Sequence, residues 1–219
     1  MLGELEMTGT EIVDALDGWV DRIAGLGAAV VPRLRPGLPL DRIPEIAGGH
    51  GFDLSDEVAA VWAWHDGERR STDVGTPKQL PGLTPRGAFF DLETSLRHSV
   101  SVYEVSGDDD ALLDPDLPAE ARGRLWRREW EVLEVHLLDL VLAARPDGST
   151  DTFRFDPQSG TAWVAHSSLP ERIAQWHRHL HLGAWRVEPD GTWGVDADRL
   201  PRVDPAASKV EQARQTEIT

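Results

Sequence analysis

Residues 43–67 read IPEIAGGHGFDLSDEVAAVWAWHDG, and residues 80–96, beyond a polar loop, read LPGLTPRGAFFDLETSL. Ser55 stands just before Asp56 and Glu57. A serine oxygen accepts one of the N–H groups that a helix leaves open in its first turn, and carboxylates suit the positive end of the helix dipole. Val58, Val61, Trp62 and His65 then recur at helical spacing. Gly67, which takes a positive φ at no steric cost, is expected to end this helix. Trp62 and Trp64 lie about 200° apart at the helical 100° per residue. Trp62 is therefore expected in the core, and Trp64 under a loop or at the surface. In the second segment Phe89 and Phe90 suggest a brief strand, and Asp91 caps a helix lined by Leu92, Leu96, Val100 and Tyr103.

Outward from this stretch, a first helix is expected to begin near Thr8 or Thr10, with Ile12, Leu16, Trp19, Val20 and Ile23 as its apolar stripe. Pro32, Pro36 and Pro39 mark an extended connection, and a short turn of helix follows Asp41. Residues 106–124 carry Asp108, Asp109, Asp110, Asp114 and Asp116 and read as an exposed acidic loop passing into a short helix at Ala119. Turn spacing then predicts a meander of about three strands, Leu138 to Ala144, Thr152 to Asp156 and Thr161 to His166. Ser168-Leu169-Pro170-Glu171 has the form of a capping box, with proline tolerated in the first turn. Leu169, Ile173, Trp176 and Leu180 form the stripe of that helix, Gly183 ends it, and a hairpin of Trp185 to Val187 with Thr192 to Val195 closes the pattern. The polar stretch 201–219 reads as a frayed tail.

The order of elements resembles the SUKH superfamily, which takes in fungal cell-wall-assembly and killer-toxin-resistance regulators and many bacterial immunity proteins. Its pattern of a Glu-bearing helix, a Gly, a Leu-Pro step, an aromatic helix ending in Asp-Gly and a return through Pro-Gly to a Leu-Glu helix is matched by Glu45, Gly51, Leu54-Ser55, Trp62 to Trp64, Asp66-Gly67, Pro81-Gly82 and Leu92-Glu93. Ser55 stands where the family has Pro. Trp130, Gly160 and Ser168-Leu169 take the places of the family's pre-sheet Trp, turn Gly and closing helix, so the resemblance spans about 41–183. It implies a single α+β domain over 1–200, with a mostly antiparallel central sheet flanked by helices and an added N-terminal helix and C-terminal hairpin. Trp62, Asp66, Gly67, Ser168 and Glu171 would be its structural motif residues.

The formal charge of −16 bounds function more tightly than the rest of the composition. Such a surface repels phosphate backbones, which argues against nucleic acid as a partner. It attracts basic proteins and speeds their encounter, although charge of this size also serves solubility alone. With no cysteine there is neither a disulfide nor a thiolate zinc site. The acidic start MLGELEMTGTEIVD makes a poor signal peptide, and the apolar runs are too short to span a bilayer. A cytoplasmic protein with no membrane partner is expected.

Candidates for chemistry are few. His177 and His181 share a helix face, but no further ligand is nominated, and histidines at a helix C-terminus suit its dipole. His65 and Asp66 are neighbours in sequence, which does not place a base against a substrate. The acidic loop lacks the alternating ligands and central glycine of a calcium loop. Gly48, Gly49 and Gly51 are followed by no Lys-Ser/Thr, and no serine nucleophile elbow is present. No catalytic residue, metal or cofactor is expected. The resemblance implies instead an immunity protein that occludes a cognate, basic toxin domain, with a regulatory or scaffold module as the alternative and an unrecognised hydrolase more remote. Candidate contacts are Asp108, Asp109, Asp110, Asp114, Asp116, Trp64 and Glu68.

Overall fold

The computed structural model describes residues 2–69, 82–85, 87–106, 131–135, 139–144, 150–156, 161–166 and 168–200, with side chains for 9–69, 82–85, 87–104, 168–200, Thr150 and Thr152. In chain order the elements are α1 (Leu2–Gly25), α2 (Arg42–Gly49), α3 (Asp56–Trp64), β1 (Ala88–Phe89), α4 (Leu92–Ser106), β2 (Glu131–Val135), β3 (Asp139–Ala144), β4 (Thr150–Asp156), β5 (Thr161–His166), α5 (Leu169–His181), β6 (Trp185–Val187) and β7 (Trp193–Val195). Single 3-10 turns lie at Val31–Arg33 and Ala197–Arg199.

The periodic stripes fold as their spacing demands. Ile12, Leu16, Trp19 and Ile23 on α1 are all fully buried, as are Val58, Val61 and Trp62 on α3 and Leu169, Ile173 and Trp176 on α5. Helix α1 packs against both α3 and α5, and α2 against α3 and α4. Trp19 is the hub of the contact with the C-terminal part: its ring stacks on Trp193 with centroids 6.0 Å apart and meets Trp176 at 5.5 Å and Trp185 at 6.3 Å. Its indole N–H donates to the Leu83 carbonyl at 3.1 Å, and that of Trp193 to the Gly82 carbonyl at 2.8 Å. The N-terminal helix and the closing hairpin, expected as additions, thus lie in the same apolar cluster as α3 and α5.

The expected α+β architecture, a central antiparallel sheet flanked by helices, is overturned. Among the residues with described side chains helix accounts for 56% and strand for 12%, and the two-stranded β6–β7 hairpin is the sheet lying wholly within them. The physical reason is that the stripes of α1, α3 and α5 face one another, so helix-on-helix packing supplies the core. The backbone of β1 to β5 runs as an antiparallel meander in sequence order and meets the helices through α4 at β2 and α5 at β4 and β5. Strands β3, β4 and β5 coincide closely with the three expected from turn spacing; β1 and β2 extend them.

Both serine caps form. Ser55 accepts from the Val58 N–H and Ser168 from the Glu171 N–H, each at 3.3 Å. Helix α5 stops as expected before Gly183, whose φ is 67°. Ser168→Ala should cost about 1 kcal/mol, the usual worth of an N-cap, in urea-induced unfolding. An unchanged midpoint would mean that solvent replaces this cap without loss. Helix α1 starts earlier than its threonines suggest, at Leu2. Among the described residues no helix is long and apolar enough to cross a membrane.

Candidate functional site

Helix α3 ends at Trp64, with His65 already extended (φ −146°, ψ 133°), so Gly67 does not terminate it. The chain instead runs straight on through His65, Asp66 and Gly67 and lies beside the proline-rich strap 33–39. Arg35 N–H donates to the Gly67 carbonyl at 2.9 Å, Leu38 N–H to the Trp62 carbonyl at 2.9 Å, and Asp66 N–H to the Pro36 carbonyl at 3.4 Å. Gly37 sits so close to α3 that a Cβ there would come within 1.8 Å of the Ala63 carbonyl oxygen. The strap has the Arg33-x-x-Pro36-x-x-Pro39 spacing that proline-reading grooves recognise. Its Leu38 packs on the core and Arg35 is engaged below, while Pro36 and Pro39 are exposed.

At the centre of this junction is Asp66, only 5% exposed. One carboxylate oxygen accepts the Leu92 N–H at 2.9 Å, satisfying an open donor at the start of α4. The other pairs with the Arg35 guanidinium at 2.8 Å, which also reaches Asp91 at 3.4 Å. Asp91 caps α4 through Thr94, accepting its N–H at 2.9 Å. One arginine therefore ties the strap to both the end of α3 and the start of α4. The neighbouring His65 ring meets the Arg35 carbonyl and packs edge-on against Trp64, with ring centroids 4.4 Å apart. His65 and Asp66 are thus engaged separately, in holding backbone, and form no acid–base pair.

Burial pushes the Asp66 carboxyl above the usual carboxylate range; the Leu92 N–H and Arg35 pull it back, and the Asp91 charge adds to the rise. Desolvation wins because Arg35, its side chain 41% exposed, shares its charge with water. A raised folded pKa means that the folded chain holds this proton more tightly than the unfolded chain does. Asp66 therefore adds stability as pH falls from neutral through its folded pKa, and the gain is complete below the unfolded value. Asp66→Asn keeps an acceptor for Leu92 and loses this titration. The stability of the natural chain relative to Asp66→Asn should rise on acidification in urea melts at stepped pH. Parallel curves would show that the Arg35 pair and the Leu92 N–H balance burial, and a relative loss that they outweigh it; either would overturn the expected rise.

The sequence-nominated residues fall in three places. Trp62 is fully buried and donates to the Phe90 carbonyl at 3.2 Å. Trp64 is half-buried, and its indole N–H donates to an Asp17 carboxylate oxygen at 2.7 Å. Glu68 is 5% exposed, with its backbone N–H on the Phe89 carbonyl, which removes it from the exposed surface. Asp108, Asp109, Asp110, Asp114 and Asp116 lie outside the described residues, as do Trp130, Gly160 and the tail 201–219. The sequence reading missed Arg35 and the acidic face of α1. Glu11, Asp14, Asp17 and Asp21, spaced by three or four, are all exposed along one side of that helix. The spacing alone could have found the second.

His177 and His181 are not drawn into a metal site: among the described residues no group of three His, Asp or Glu side chains gathers closely enough to hold one. His177 instead packs edge-on against Trp19 with ring centroids 5.3 Å apart, and burial followed by the Arg22 charge moves its pKa below the usual histidine value. His179 is buried and meets the Trp185 ring at 4.6 Å. What the described surface offers chemically is a carboxylate-rich helix face with an indole beside it. Compared with protein-family models and with curated proteins, the chain matches none.

Proposed function

We propose that this chain is a non-catalytic, protein-binding domain of SUKH type, an immunity protein that neutralises a cognate toxin by covering its basic active-site surface. The order of motifs from Glu45 to Leu169 carries the reading. The net charge of −16 and the exposed Glu11, Asp14, Asp17 and Asp21 favour a basic partner. Acidic residues steer such a partner and raise its on-rate, while a few buried anchors set the dissociation rate. Trp64, half-buried beside Asp17, is the aromatic group at this face.

Co-expression with a basic toxin domain encoded beside this chain tests the proposal. Cells should survive, and a one-to-one complex should be recovered. Association should slow as salt rises, because screening limits the reach of charge to about 8 Å near physiological ionic strength. Changing Glu11, Asp14, Asp17 and Asp21 together to their amides should lower the on-rate about tenfold with little change in off-rate. The same exchange at Asp108, Asp109 and Asp110 tests the loop. Cell death as in the absence of this chain, with no complex formed, would replace the immunity reading by the regulatory one.

A further inference from the structure

We draw no further inference here: the strongest candidate, the acidic face of α1 formed by Glu11, Asp14, Asp17 and Asp21 beside the Trp64 indole, belongs to the surface already used by the proposed function, and nothing among the described residues shows what covers it.

Discussion

Trp62→Ala is expected to lower the unfolding free energy by about 3–5 kcal/mol, the range found when a large buried aromatic is truncated. The side chain is fully buried within the apolar cluster in which α3 meets α1. Its loss would open a cavity that packed helices collapse only in part, and would leave the Phe90 carbonyl without its indole donor. Two positions along the same helix, Trp64→Ala removes a half-buried ring and should cost only about 1 kcal/mol. Both changes exchange the same side chain for the same methyl group, so the contrast reports chiefly the difference in burial. Urea melts should show a large fall in midpoint for the first variant and a small one for the second, with similar slopes. Equal, small effects would mean that α3 presents a different face to α1.

Local signals were the legible part of this chain. Ser55 and Ser168 cap their helices because the donor each satisfies lies three residues away, inside the window that a sequence displays. The stripe Ile12, Leu16, Trp19 and Ile23 was readable for the same reason: the 3.6-residue period states which face is apolar. It does not state which other face that stripe meets. The meeting of α1 with α3 and α5, which moves the core from the sheet to the helices, joins residues more than forty positions apart. Arg35 was invisible on the same grounds, since its partners Asp66 and Asp91 lie far along the chain and an arginine between prolines carries no local mark. Asp66 reads in the sequence as a structural motif residue, and its adjacency to His65 carries no acid–base argument; which groups it holds, Arg35 and the first N–H of α4, lay outside any local window.

Gly67 shows how a correct local signal can have a tertiary cause, and its substitution is the second large effect expected. The residue does adopt a left-handed backbone, φ 73°, but three residues beyond the end of α3. There the chain passes close against the start of α4. A Cβ at this position would come within 2.3 Å of the Asp91 nitrogen and 2.5 Å of the Phe90 carbonyl carbon, both backbone atoms with no rotamer to yield. Gly67→Ala therefore combines left-handed strain of about 1–2 kcal/mol with overpacking that typically costs about 1–3 kcal/mol, a loss of roughly 2–5 kcal/mol in all. Relief would require α4 to move away from the Gly67 segment, which would also stretch the Asp66 bond to Leu92 and the Arg35 pair with Asp91. Gly48→Ala provides the opposite case: a Cβ there meets nothing within 4 Å, and the site is helical and exposed. That variant should gain up to about 1 kcal/mol by restricting the unfolded chain. One methyl group added at two glycines should thus change the unfolding midpoint in opposite directions. If Gly67→Ala melts with the natural chain, the close approach of α4 to this segment is wrong, and with it the Asp66 junction.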